Sequence, residues 1–259
     1  MSGAKGNGMQ FRIKDQILKV NVPTWATLEA RVRERLAQRK GFALATVNLD
    51  HLVKLRTDDA FLDAYLAQDF VVADGNPIVW MSRLAGRPVE LIPGSEAILP
   101  LARIAAAQGV PVALVGSTEE VLTAATDYLE TEVRDLRVAC CISPPMGFDA
   151  GGKAAEDILR DVQASGARMC FVAMGAPRQE IFAALGRQIA PSVGFVSIGA
   201  GLDFFAGTQK RAPEWARKYA MEWLWRALSS PRRLGPRYLK CIAILPGQML
   251  RAGLLRLRS

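Results

Sequence analysis

Between Val110 and Ser197 four short apolar runs alternate with three longer stretches of helical periodicity, and that alternation constrains the fold more than any other feature. The runs are Val112–Val115, Arg137–Ile142, Met169–Ala173 and Gly194–Ser197. The helical stretches cover roughly Glu119–Glu130, Lys153–Ala164 and Arg178–Ile189. A strand without polar alternation is buried on both faces, and strands separated by helices of this length pair in parallel. The predicted class is therefore α/β: a mostly parallel sheet with helices on both faces, Rossmann-like in outline.

The first hundred residues continue the pattern less regularly. Alternation around Lys14-Asp15-Gln16, with Phe11, Ile13, Ile17, Leu18, Val20 and Val22, predicts a small hairpin. Thr24 or Thr27 caps a helix running to about Arg39, with Leu28, Val32 and Leu36 on one face. Gly41–Asn48 is a nearly all-apolar strand whose end is polar: Thr46, Asn48, Asp50 and His51. Helical residues 58–68 precede a second strand, Phe70–Ala73, which runs into Asp74-Gly75-Asn76-Pro77. An Asp-Gly pair at a strand end either forms a turn or aims a carboxylate into a crevice. Ile78–Leu84 is helical, and another helix with Ser95 as its N-cap ends before Gly109. His51 has no second His and no Cys pair nearby, so it reads as a cap or a loop-facing residue.

Open parallel sheets bind ligands beyond the carboxyl ends of their strands. Phe171–Glu180 is a buried strand, a glycine turn and a helix opening at Pro177, with Arg178, Gln179 and Glu180 in the first turn. Unpaired N–H groups at such a helix start suit a phosphate or carboxylate. Gly116-Ser117 ends another strand and is a second candidate for presenting N–H groups. Asp203, flanked by apolar residues in Ile198–Gly207, is either a buried acceptor or a ligand contact. No G-x-G-x-x-G fingerprint and no Walker A lysine occurs.

The four cysteines (Cys140, Cys141, Cys170, Cys241) form no C-x-x-C pair and there is one His, which argues against a zinc cluster or a disulfide scaffold. Cys140 and Cys141, inside a strand, are expected in the core. Met1–Gly8 is short, polar and glycine-rich, unlike a signal peptide, and no run of 18 apolar residues occurs. A reduced, cytoplasmic protein is expected.

Charge divides the chain at about residue 206. From Gly207 onward there are 12 Lys or Arg against Glu214 and Glu222, a net of +10, whereas the preceding residues sum to −2. The division predicts an α/β core over 1–206 and a basic helical appendage over 207–259. The appendage has one helix carrying Trp215, Trp223 and Trp225, then Pro231-Arg232-Arg233. A last helix starts at about Pro236 and is broken or kinked at Pro246-Gly247. Its apolar face and basic rim read as a peripheral membrane helix, or as a helix packed on its own domain or on a subunit partner.

Placed in order, these pieces resemble a known family. Thr46 and Asn48 follow the first main strand, then come Asp74-Gly75, Pro93-Gly94-Ser95-Glu96 and Gly175-Ala176-Pro177-Arg178-Gln179-Glu180. Gly199 through Asp203-Phe204 and Gly207 follow, then Arg211-Ala212-Pro213, Glu222-Trp223, Arg226 and Pro231-Arg232-Arg233. The series is similar to that of the bacterial WecG/TagA/CpsF glycosyltransferases, which include N-acetylmannosaminuronic acid and N-acetylmannosamine transferases. The resemblance covers roughly residues 15–235. It implies inverting transfer of a sugar from a UDP-sugar to a polyprenyl-diphosphate-linked saccharide at the inner face of the cytoplasmic membrane, in exopolysaccharide or cell-envelope polysaccharide synthesis. It also implies no metal, no cofactor beyond the donor itself, and a fold distinct from the usual glycosyltransferase folds.

By the same resemblance Asp74 is the base, Thr46 and Asn48 stand near the reacting sugar, and Gln179 belongs to the pocket. The donor-binding set is then Gly116, Gly175, Ala176, Pro177, Arg178, Gln179, Glu180, Asp203 and Arg211. Glu222, Arg226, Arg232 and Arg233 are assigned to the acceptor and its phosphates. Arg178 stands where many relatives have Lys, and Glu96 where they have Asp; Arg offers a planar fork, so the accepted sugar can differ. Two other readings fit parts of the chain: a Rossmann-like nucleotide-dependent oxidoreductase and a non-enzymatic membrane-docked assembly factor. Nucleic acid is disfavoured by the nearly neutral core, and a homo-oligomer is left open.

Overall fold

Six parallel strands form one sheet in the order β4-β3-β8-β7-β5-β6. The computed structural model describes residues 8–207, 225 and 231–257, with side chains from 235 onward in the last stretch. The strands are β3 (Phe42–Val47), β4 (Phe70–Ala73), β5 (Val112–Gly116), β6 (Val138–Ile142), β7 (Met169–Ala173) and β8 (Gly194–Ser197). Every residue of β3, β4, β5, β7 and β8 is buried, as their unbroken apolar sequences require.

The preceding strands β1 (Gln10–Ile13) and β2 (Gln16–Lys19) make the predicted antiparallel hairpin, turning at Lys14. The helices are α1 (Trp25–Ala37), α2 (Leu49–Lys54), α3 (Asp59–Leu66), α4 (Asn76–Leu84), α5 (Gly94–Ala107), α6 (Glu119–Glu132), α7 (Lys153–Ala164), α8 (Arg178–Ile189) and α9 (Pro231–Leu257). Leu28, Val32 and Leu36 of α1 join α5, α6 and the sheet in one core cluster, while α7 and α8 cover a second. A third cluster unites the hairpin, α2, α3, α4 and α9. The Thr24 side chain caps α1 by accepting from Thr27 N at 3.1 Å. Thr24→Ala is expected to cost about 1 kcal/mol of stability in urea melts.

The sheet edges differ. Outside β4, Val22 N donates to Val71 O, Val71 N donates to the Asn21 side chain, and Leu91 bridges Ala73. At the other edge Val138 N of β6 donates to the Glu130 side chain of α6, and the edge position corrects the expectation for the cysteines of this strand: Cys141 is exposed and Cys140 partly so. Cys170, in an interior strand, is buried.

Three further expectations change. α5 starts at Gly94 with Pro93 as its cap, so Ser95 lies inside the first turn. A short helix, α2, follows Asn48 directly and carries His51 into the interior, not onto a loop. α9 begins at Pro231 and runs as one helix through Pro236 and Pro246.

α9 packs on α2 and α4. It buries Cys241, Gln248 and Ala252, with Ile244, Leu245 and Leu255 packed beside them. A second stripe, Leu239, Ile242, Leu250, Leu254 and Leu257, faces solvent. Among the described residues no helix is long and apolar enough to cross a membrane.

Candidate active site

Thr46 and Asp74 meet because β3 and β4 pair in register up to Val47 and Ala73, and Asp74 N then donates to Val47 O at 2.8 Å. Thr46 Oγ1 donates to Asp74 Oδ2 at 3.4 Å, a long bond of the kind that tightens on a ligand. Gly75, at φ 119°, turns the chain into α4, so the carboxylate stands beside a helix start, where unpaired N–H groups favour negative charge. Asn48 lies against Gly75, and its side-chain oxygen accepts from His51 N at 3.0 Å as the N-cap of α2. Gly94 closes the floor: a Cβ there would sit 3.0 Å from Ser197 O and 3.3 Å from Thr46 Cγ2, so α5 starts hard against both strand ends.

Behind this pair lies a buried polar layer. His51 Nδ1 and Tyr65 OH are 3.2 Å apart, and the Tyr65 hydroxyl feels the charges of both Asp74 and Glu180. Gln179 is buried: its Oε1 accepts from Gly199 N at 2.9 Å and its Nε2 donates to Glu180 Oε1 at 2.8 Å. Gln179 thus ties the start of α8 to the loop after β8. Glu180 has no solvent exposure, so it supports the site from behind and does not face a ligand in this conformation.

The third part sits where β5 and β7 meet. Their following helices lead to opposite sides, α6 to β6 and α8 to β8, which makes this crevice a topological switch point. A Cβ on Gly116 (φ 111°) would lie 2.4 Å from Ala173 O, so only glycine allows the two strand ends to approach this closely. Ser117 follows at φ 59°, its Oγ donating to Asp203 Oδ1 at 3.1 Å and its carbonyl accepting from Ser143 Oγ at 2.8 Å. The Ser117 N–H is already bonded to Ala173 O, so the expected phosphate-facing N–H is occupied. Arg178 is exposed and donates to Met174 O at 3.0 Å, at the mouth of the same turn.

Thr46, Asn48, Asp74, Gly116, Gly175, Ala176, Pro177, Arg178, Gln179 and Asp203 therefore all lie along one edge of the sheet, the carboxyl edge. From β4 to β5 that edge spans four strand spacings, roughly 19 Å. Arg211, Glu222 and Arg226 lie outside the described residues, as do Trp215, Trp223 and the side chains of Arg232 and Arg233. Two hollows of about 430 and 280 Å³ open at the opposite end, lined by residues such as Arg39 and Arg168, or Arg103 and Glu132; neither contains a predicted site residue.

A sequence profile of the glycosyl transferase WecG/TagA/CpsF family matches residues 16–259. The chain belongs to that family. This glycosyltransferase is 25% identical over 227 residues to a Bacillus subtilis (strain 168) N-acetylglucosaminyldiphosphoundecaprenol N-acetyl-beta-D-mannosaminyltransferase, covering 87% of this chain and 86% of the relative. It is 27% identical over 200 residues to the protein of the same name from Bacillus spizizenii (strain ATCC 23059 / NRRL B-14472 / W23), covering 76% and 75% respectively.

Burial shifts the ionisable groups in the polar layer of the glycosyltransferase toward their neutral forms. Burial pushes the Glu180 carboxyl up to about 7, against the opposing bond from Gln179. Burial also pushes the His51 imidazole down to about 3 and the Tyr65 phenol well above its ordinary value. Among the described residues no group of three or more His, Cys, Asp or Glu side chains converges as metal ligands.

These shifts have opposite signs in stability. The neutral Glu180 contributes fully below its unfolded value of 4.5, and the contribution is lost as pH rises through 7. The neutral His51 contributes above 6.5 and is lost as pH falls toward 3. Between pH 4.5 and 6.5 the two slopes oppose each other, so Glu180→Gln is expected to gain stability relative to wild type as pH rises from 4.5 to 7, by up to roughly 1.4 kcal/mol per pH unit for one group. Urea melts of both proteins across that range check it.

Sequence reasoning missed the roles of His51, Tyr65 and Lys54. The i,i+4 pair Asp50–Lys54 was a visible helix signal directly after the strand end. The partnership of His51 with Tyr65, 14 residues away, had no local signature.

Proposed function

We propose that this protein catalyses inverting transfer of a sugar from a UDP-sugar to a polyprenyl-diphosphate-linked saccharide. The observation that carries the proposal is the Thr46–Asp74 pair, held on neighbouring strand ends beside a helix start. A single inverting displacement needs a carboxylate to take the proton from the acceptor hydroxyl, and Asp74 is assigned that role. Thr46, as donor to one carboxylate oxygen, holds the Asp74 side chain against the neighbouring strand end. Asn48, locked as a helix cap, frames the sugar.

The roughly 19 Å edge gives the donor an orientation. The nucleoside belongs at the β5–β7 switch point with Gly116 and Asp203, the diphosphate along Gly175–Gln179, and the sugar over Thr46 and Asp74. Departing UDP gains negative charge as the glycosidic bond breaks, and cations with oriented N–H groups stabilise it. Arg178 and the start of α8 serve on the described side. Arg211, Arg226, Arg232 and Arg233, with Glu222, are assigned from the sequence to the donor and acceptor phosphates. This assignment requires no metal. The names of the two Bacillus relatives support a diphosphate-linked lipid acceptor, and the sugar in those names, N-acetylmannosamine, is the first donor to try.

The outward stripe of α9, with Lys240, Arg251 and Arg256 on the same helix, suits the anionic inner face of the cytoplasmic membrane, where such an acceptor resides. The inverting step is tested by the anomeric configuration of the product, read by NMR coupling constants. An α-linked UDP-sugar should give a β-linked product. An α-linked product would exclude Asp74 as the base of a single displacement.

A further inference from the structure

Asp50 holds a carboxylate nearly out of water, with 9% of its side chain exposed, between two cations from different elements. Arg237 Nε of α9 lies 3.0 Å from one oxygen, and Lys54 Nζ, one turn along α2, lies 2.9 Å from the other. The Lys54 ammonium also donates to the Ala176 carbonyl at 3.2 Å, in the turn between β7 and α8. Ala176 itself packs against the cluster that includes Cys241 and Ala252 of α9. A continuous polar chain thus runs from the C-terminal helix to the turn assigned to the donor diphosphate.

The chain works by sharing. An ammonium has three donors on one nitrogen, and its position is a compromise among acceptors. With Arg237 in place Asp50 is balanced by two cations, and Lys54 is able to reach Ala176. A buried carboxylate that loses one of two cations binds the remaining one more tightly. Lys54 would then be drawn toward Asp50, and the Ala176 carbonyl would lose its donor.

We propose that Asp50 and Lys54 are positioning residues that couple the seating of α9 to the Gly175-Ala176-Pro177 turn, so that donor binding is strongest when Arg237 is docked. The coupling rests on the reading of this turn as the diphosphate wall.

The test uses the full-length protein and its Arg237→Gln, Lys54→Met and doubly substituted forms, each confirmed folded by thermal melting. Calorimetric titration with UDP should show Kd raised about tenfold by Lys54→Met and several-fold by Arg237→Gln. The double variant should be no weaker than Lys54→Met alone, because the contact through which Arg237 acts is already gone. Arg237→Lys, which keeps the cation, should restore most of the affinity. Hydrogen exchange at residues 174–180 gives a readout independent of UDP: protection should fall in each single variant and no further in the double. Multiplying effects in the double variant, or unchanged exchange in folded Arg237→Gln, would overturn the coupling. Failure of the wild-type protein to bind UDP, with exchange behaving as expected, would overturn the donor assignment and leave the coupling standing.

Discussion

Asp74→Asn is expected to lower kcat between about 10²- and 10⁴-fold, the range lost when a general base is removed. Asparagine keeps the shape and still accepts the Thr46 hydroxyl's hydrogen bond. It has no basic oxygen, so the acceptor hydroxyl keeps its proton as the new bond forms. UDP affinity should change little, since the nucleoside and diphosphate are assigned two or more strands away, beyond β8. A drop in kcat at preserved UDP binding separates loss of a base from loss of a site. Initial-rate kinetics with calorimetry on the same preparation reads both. Normal turnover in this variant would sink the assignment.

Gly116→Ala should have the second-largest effect, and on a different axis. Its new methyl would lie 2.4 Å from the Ala173 carbonyl oxygen, and its backbone is held at φ 111°. Strain at such a φ and overpacking between strand ends each cost about 1–3 kcal/mol, so a loss of roughly 3 kcal/mol is expected. Relief comes by parting β5 from β7, which would carry Ser117 away from Asp203. UDP affinity should therefore fall together with stability. Urea melts and UDP titration check the two consequences; a variant as stable as wild type with unaltered UDP affinity would show that the close approach is not needed.

The fold was legible where burial alone decided it. β5, β7 and β8 are apolar throughout because neighbours cover both faces, and their sequences announce it. β6 misled because Val-Ala-Cys-Cys-Ile is equally apolar, while its place at an edge is set by connections of the whole chain. Ser95 misled because capping residues are also common inside first turns, and the chain enters α5 two residues sooner, where Gly94 must pass Ser197 and Thr46.

The candidate site divides the same way. Thr46, Asn48 and Asp74 stood out as polar residues ending apolar strands, and the family motif ordered them. The supporting layer did not, because His51–Tyr65 and Gln179–Gly199 join residues that the sequence keeps apart and only the sheet brings together. Arg237 is the extreme case: it looked like one more charge on a basic tail, yet it pairs with Asp50, a nearly buried carboxylate on α2.

The central claim, sugar transfer from a UDP-linked donor, is met most directly by one measurement. The purified protein is incubated with a panel of UDP-sugars, with and without a short-chain polyprenyl-diphosphate-linked saccharide, and UDP release is followed with product mass. One donor is expected to release UDP stoichiometrically with a single hexosyl-type mass gain on the lipid acceptor, and only when that acceptor is present. A protein that binds the lipid acceptor, yet releases no UDP from any donor and adds no mass, would contradict it.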